Sequence, residues 1–205
     1  YAPAIDNGVI NGSTIMNDTK VYWDNNNKNS YSPSNRGGGY SGRMTIREGL
    51  SRSKNTIAFQ VFKKVGIETA LSYLDKLHFK SLSYADSVAP AISLGGFTHG
   101  VTVNDMCRGY ATIANNGMMS ARTCLTKVVH DTKGTIYTAP ELEESETEVF
   151  SADTSFIMQD MLQGPFNDSY GTARSAYNDK QIYAGKTGTT NSSKDAWFCG
   201  FSSYY

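Results

Sequence analysis

Apolar positions recur along the chain with a helical period in several stretches and with a strand period towards its end. The first helical stretch opens at Thr45-Ile46-Arg47-Glu48. This is a capping box, in which the Thr hydroxyl and the Glu carboxylate satisfy backbone N–H groups that a helix start leaves free. Ile46, Leu50, Ile57, Val61 and Val65 carry the spacing onward, and Ser53 falls on the same stripe. A polar side chain there either breaks the helix or faces a cleft. From Ile67 a second amphipathic segment places Ile67, Leu71 and Leu74 on one face. A third has Thr102-Val103-Asn104-Asp105 as its cap, Met106, Tyr110, Ile113 and Ala114 as its buried stripe, and Asn116-Gly117 as its stop. A hairpin follows, TKVVH to TIY around Asp131-Thr132-Lys133-Gly134. Ser151 then caps a helix that carries Phe156, Ile157, Met161 and Leu162 and ends at Gly164-Pro165.

Residues 1–40 read as irregular, with NNNKNS at Asn25 to Ser30 and RGGG at Arg36 to Gly39 marking turns. The end of the chain changes character. YAGKTGTT, the polar turn NSSKD and AWFCGFSSYY read as a buried strand pair. Two strands alone are marginal in water, and only short hairpin pieces precede them, so the pattern predicts a sheet that lacks strands.

With 205 residues, of which 39% are hydrophobic, the chain is enough for one compact domain or a large piece of one. No run approaches the roughly 18 apolar residues of a membrane span. Basic and acidic residues number 19 each, so nothing steers the chain to nucleic acid or an anionic membrane. The cluster Glu141, Glu143, Glu144, Glu146 and Glu148 reads as a solvated loop or edge. Cys107, Cys124 and Cys199 lie far apart with no CxxC and no His at metal spacing, and read as small buried residues. The chain starts at Tyr1-Ala2-Pro3 without a signal peptide, which leaves the compartment open.

Candidate chemistry concentrates in KTGTT, Lys186 to Thr190. Lys186 offers a positive charge and Thr187 and Thr189 offer hydroxyls, a set suited to a carboxylate. Gly188 leaves room for a ligand to lie against the backbone as an extra strand. The plain alternative is a strand edge protected by a lysine. SRSKNTIAF, Ser51 to Phe59, is ambiguous. Ser51 and Lys54 spell the SxxK of a serine nucleophile with its lysine base, while Ser53 and Asn55 spell the SxN that accompanies such a nucleophile. A third reading makes Ser53 or Asn55 a helix cap.

The SxN and KTG motifs in this order resemble the transpeptidase domain of the class A penicillin-binding proteins, with the serine β-lactamases as more distant relatives. YSPSNRGGGYSGRMTIREGLSRSKNTIAFQVFKKVG resembles the family segment in which a WSPxN loop and a Gly-rich stretch lead to a helix, then SxN, then a second helix. LGGFTHGVTVNDMCRGYATIANNG is similar to another family signature, GTARSA precedes KTGTT at the expected place, and DAWFCGF follows it where the family's next strand runs. The resemblance covers nearly the whole chain.

It implies an α/β (α+β) fold of the penicillin-binding protein and serine β-lactamase kind, with a helical lobe and an incomplete antiparallel sheet. Residues 1–205 would be a partial transpeptidase domain, truncated before its first strands and SxxK helix and after the strand following KTGTT. By position, Ser53 and Asn55 match the family's SxN, and Ser51 with Lys54 is accidental. The implied reaction is D,D-transpeptidation of peptidoglycan stem peptides through an acyl-serine that β-lactam antibiotics also acylate, without metal or other cofactor. The nucleophile would come from the missing N-terminal part of the domain, leaving this piece inactive alone. Ser53, Asn55 and Lys186 are the implied catalytic residues, and Thr187, Gly188, Thr189 and Thr190 the implied substrate-binding ones. The resemblance also places the full-length, membrane-anchored protein on the extracytoplasmic face of a bacterial membrane. Two alternatives stand beside it: a β-lactamase or β-lactam sensor of the same fold, and a folded, non-catalytic fragment that associates with itself through open sheet edges.

Overall fold

The computed structural model describes residues 1–120, 125–139, 146–190 and 194–203. The chain opens with a short helix, α1 (Ala2–Asp6), and a strand, β1 (Ile15–Asp18), which pairs antiparallel with β2 (Gly42–Thr45). Both α1 and β1 lie in the stretch the sequence pattern marks as irregular. Five helical residues and four strand residues are too few to display a period, and tertiary packing of Ala4, Ile5 and Met16 makes up for it.

The stretch from Ile46 to Val65 is two helices, α2 (Ile46–Ser51) and α3 (Asn55–Val65). Of the expected capping box the Thr half forms, with Thr45 Oγ1 accepting from Glu48 N–H at 3.1 Å, while Glu48 Oε1 accepts from Arg52 Nε at 2.8 Å. α2 ends in a Schellman motif: Ser53 N–H donates to the Leu50 carbonyl at 3.0 Å and Lys54 N–H to the Gly49 carbonyl at 2.8 Å. Ser53 occupies the left-handed position, φ 56°, that this motif ordinarily gives to glycine. The break therefore arises at the one polar residue on the apolar stripe. α2 and α3 then fold against each other closely enough that a Cβ on Gly49 would stand 2.7 Å from Ile57 Cγ2.

α4 (Ile67–Lys76) follows directly after Gly66, with Tyr73 as its buried residue and Ile67, Leu71 and Leu74 half-buried. After two short 3-10 turns comes α5 (Val103–Ala114), capped by Thr102. Met106, Tyr110 and Ile113 are half-buried, but Ala114 is exposed, one step too far round the helix from the contact face. Strand β3 (Met118–Met119) pairs with β6 (Thr147–Glu148), and the expected hairpin forms from β4 (Lys127–His130) and β5 (Gly134–Thr138). Glu146 and Glu148 are exposed, while Glu141, Glu143 and Glu144 lie outside the described residues.

α6 (Ala152–Asn167) is the central helix. Its cap is Ser151, whose Oγ accepts from Thr154 N–H at 3.2 Å. Met158, Met161 and Leu162 are buried in the main core with Ile5, Ile46, Leu50 and Ile57. Each such side chain contributes about 1.5–3 kcal/mol relative to exposure. Phe156 is instead 70% exposed, since it stands on the face opposite Met158 and Met161. The helix also runs past the expected stop at Gly164-Pro165, to Asn167. Pro165 is buried in the last turn; it forgoes an N–H bond to the Met161 carbonyl, while its own carbonyl accepts from Ala173 N–H at 2.9 Å.

The last pair, β7 (Tyr183–Thr189) and β8 (Ala196–Ser202), is antiparallel and packs on α6. Phe166 of α6 stands edge-on to Phe198 of β8 at 5.9 Å and tilted against Tyr183 of β7 at 5.7 Å, which fixes the strand pair against the helical lobe. Among the described residues every sheet has two strands. Cys107 is exposed and Cys199 half-buried, contrary to the expectation of buried thiols, because α5 and β8 present them at the rim of their contact. Cys124 lies outside the described residues.

Candidate active site

β7 carries Lys186 to the break between α2 and α3. Lys186 Nζ donates to Ser53 Oγ at 2.8 Å and to the Thr187 carbonyl at 2.7 Å. Neither Ser53 nor Asn55 caps α3; Lys54 holds the cap position without a side-chain cap bond. Asn55 Nδ2 donates to the Ser34 carbonyl at 2.7 Å. Ser53, Asn55, Lys186, Tyr110 and Leu162 line a common cavity of about 270 Å³ between the helical lobe and the strand pair.

Burial holds the Lys186 ammonium well below its ordinary pKa, at about 8. No carboxylate pairs with it among the described residues. A half-buried cation whose close partners are a hydroxyl and a carbonyl is disposed to receive an anion, because an incoming negative charge relieves its desolvation.

The remaining KTGTT residues divide. Thr187 Oγ1 donates to Thr172 Oγ1 at 2.9 Å. Gly188 and Thr189 are exposed. Thr190 instead closes the turn, its N–H donating to the Asp195 carbonyl at 3.1 Å and its hydroxyl to Asp195 Oδ2 at 3.1 Å. Bonded and non-bonded pairs alternate along an antiparallel ladder. With Thr190 bonded to Asp195 and Thr189 opposite Ala196, the N–H and C=O groups of Thr187 and Thr189 turn to the other edge of β7. Among the described residues no strand covers that edge.

Ser51 and Lys54, the competing pair, are not together. Ser51 is 0% exposed, sealed under α6, where a Cβ on Gly164 would lie 3.3 Å from its hydroxyl. Lys54 Nζ is bound to Asp18 Oδ2 at 3.0 Å and to Ser41 Oγ at 2.8 Å.

Sequence reasoning overlooked Thr172, Ser34 and the role of Tyr110 in lining the cavity. GTARSA and the SPSN loop stood out as stretches, but a hydroxyl and a backbone carbonyl carry no signal of their own until the fold brings them to Thr187 and Asn55. Among the described residues no cluster of three or more His, Cys, Asp or Glu is placed to hold a metal, and no helix is long and apolar enough to cross a membrane.

The family model "Penicillin binding protein transpeptidase domain" matches residues 1–204. Penicillin-binding protein 1A of Clostridium acetobutylicum is 33% identical over 210 residues, covering 100% of this chain and 25% of the relative. Penicillin-binding protein 4 of Bacillus subtilis is 33% identical over 207 residues, covering 100% of this chain and 31% of the relative. The chain thus spans about a quarter to a third of the length of these curated relatives. Among solved structures, penicillin-binding protein 1A of Haemophilus influenzae superposes with a TM-score of 0.79 at 25% identity, over 98% of this chain and 34% of that one. Penicillin-binding protein A of Mycobacterium tuberculosis, solved as an imipenem acyl-enzyme, shares the fold with a TM-score of 0.77 at 16% identity, over 98% of this chain and 48% of that one. The mixed helix and sheet architecture, the meeting of the SxN turn with the KTGTT strand and the sequence match across almost every residue converge: the chain belongs to the transpeptidase family of the class A penicillin-binding proteins.

Proposed function

We propose that this chain forms the substrate-binding wall of a D,D-transpeptidase that cross-links peptidoglycan stem peptides, and that the full-length, membrane-anchored protein works on the extracytoplasmic face of a bacterial membrane. The observation that carries the reading is the 2.8 Å contact of Lys186 Nζ with Ser53 Oγ in an open cleft beside an uncovered strand edge.

The reaction is acyl transfer in two halves. A serine hydroxyl attacks the carbonyl of the penultimate D-alanine, the C–N bond breaks, and D-alanine leaves with a proton on its amine. An amine from a second stem then attacks the ester and releases the serine. Ser53 hands the proton to the leaving amine, with the Lys186 charge orienting and tuning it electrostatically. Asn55 holds the amide of the stem peptide, and Thr187 and Thr189 take its terminal carboxylate. The Thr189 N–H, on the uncovered edge, forms half of the oxyanion hole, where one donor is worth about 3 kcal/mol in the transition state. β-Lactam antibiotics acylate the same serine. That serine is not Ser51, given its burial and the engagement of Lys54 by Asp18; on this reading it lies outside these 205 residues, which by themselves are not acylated.

Intact mass after incubation with a labelled penicillin tests this reading. Full-length protein is expected to gain one stable adduct at a serine outside Ser51, and the chain alone none. An adduct on Ser51 overturns the assignment of the nucleophile, and failure of the full-length protein to form any adduct overturns the function.

A further inference from the structure

The proposed chemistry leaves the most heavily bonded carboxylate near the site unused. Asp18, the last residue of β1, is 1% exposed. It accepts hydrogen bonds from Thr56 Oγ1 at 2.5 Å, Asn35 Nδ2 at 2.7 Å, Ser41 N–H at 2.8 Å and Lys54 Nζ at 3.0 Å. Two of these donors, Lys54 and Thr56, are the chain neighbours of Asn55. The other two belong to the loop before β2, which also holds Asn55 itself: Ser34 accepts from Asn55 Nδ2, and Asn35 Oδ1 accepts from Thr56 N–H at 3.4 Å.

We infer that Asp18 is the positioning residue of the Ser53–Asn55 turn, gripping it from behind so that the hydroxyl and the amide face the cleft together. This rests on the function proposed above. The turn needs such a grip. Ser53 sits in a left-handed conformation that is costly for a residue with a Cβ, and conformations of that kind persist only where their surroundings over-determine them. Bonds to an ionised acceptor are about twice as strong as neutral ones, and here they fall on both sides of Asn55. The competing account is that Asp18 serves only as counter-ion to the half-buried Lys54, since a buried charge left without its partner destabilises strongly.

The two accounts separate in the full-length protein carrying this segment. Asp18→Asn combined with Lys54→Met removes both charges and strands neither. It is expected to melt within a few degrees of wild type while acylation by a fluorescent penicillin slows by about tenfold to a hundredfold, the cost of a small misplacement of catalytic groups. On an Asn55→Ala background the same pair is expected to add little further slowing, a coupling that a general loss of stability does not produce. Thr56→Val, which strands no charge, is expected to slow acylation in the same direction and decides the matter if the double variant does not fold. Wild-type acylation in the double variant or in Thr56→Val overturns the positioning role. Ser53→Ala and Asn55→Ala run beside them: wild-type rates there overturn the proposed function itself, whereas slow rates there with an undiminished double variant remove Asp18 alone.

Discussion

Lys186 Nζ and Ser53 Oγ meet at 2.8 Å although 133 positions separate the residues in sequence. One comes from a strand at the end of the chain and the other from a break between two helices, so their meeting is a product of how α6 docks β7 beside α2.

Replacing Lys186 with Ala removes the cation that tunes Ser53. In the full-length protein acylation by a fluorescent penicillin is expected to slow by about 10²–10⁴-fold, the usual reach of a positioned acid-base group. The circular dichroism spectrum is expected to stay unchanged, because Lys186 lies at the rim of the core. An unchanged rate removes Lys186 from the mechanism.

The lowered pKa of Lys186 predicts opposite pH trends for function and stability. Its charge is lost as pH rises through about 8, so the second-order acylation constant for an anionic penicillin is expected to fall there. Burial disfavours the charged form in the folded state, and this penalty is fully present below pH 8. Between pH 8 and the ordinary lysine value the unfolded chain binds more protons, so this group makes stability rise with pH in that window. Urea titrations of wild type and Lys186→Met at several pH values check the sign; equal pH slopes for the two contradict it.

Ser53→Gly and Ser53→Ala are expected to part company. Both lose the hydroxyl and slow acylation, but only glycine relieves the left-handed backbone at φ 56°. Ser53→Gly is expected to be more stable than Ser53→Ala by about 1–2 kcal/mol in chemical denaturation. Equal stabilities contradict the Schellman geometry at this turn.

Gly49→Ala places a methyl group 2.7 Å from Ile57 Cγ2, and Ile57 is fully buried with nowhere to retreat. A loss of about 1–3 kcal/mol is expected from overpacking, seen as a lower melting temperature. A smaller cost of Gly49→Ala on an Ile57→Ala background, which lacks Cγ2 and Cγ1, identifies the contact.

Thr172→Val removes the group that accepts the Thr187 hydroxyl proton and leaves Thr187 in place. The expected outcome is weaker reversible binding of penicillin with a nearly unchanged rate of the chemical step, resolved by varying penicillin concentration in stopped flow. A change confined to the chemical step contradicts a role in carboxylate binding.

Local signals in the sequence were reliable where the physics is local. The caps at Thr45, Thr102 and Ser151 each accept the backbone N–H that their spacing foretold. The turn at Asp131 to Gly134 joins β4 to β5, and KTGTT lies on a strand but for its last threonine. Periodicity failed where neighbours decide, as at Phe156, which shares the helical stripe in sequence but is 70% exposed, and at Pro165, which α6 accommodates in its last turn.

The helix starts, the strand pair, the family and the residue types of the cleft were legible along the chain, because capping, alternation and motif spacing are written in neighbouring residues. Motif position already favoured Ser53 and Asn55 within SRSKN, and the tertiary structure adds the physical reason why Ser51 and Lys54 do not act as a pair. Packing under α6 sealed Ser51, and the buried Asp18 carboxylate claimed Lys54. The left-handed turn at Ser53 set its hydroxyl before Lys186. Those outcomes depend on contacts between residues tens to more than a hundred positions apart, which no local pattern encodes.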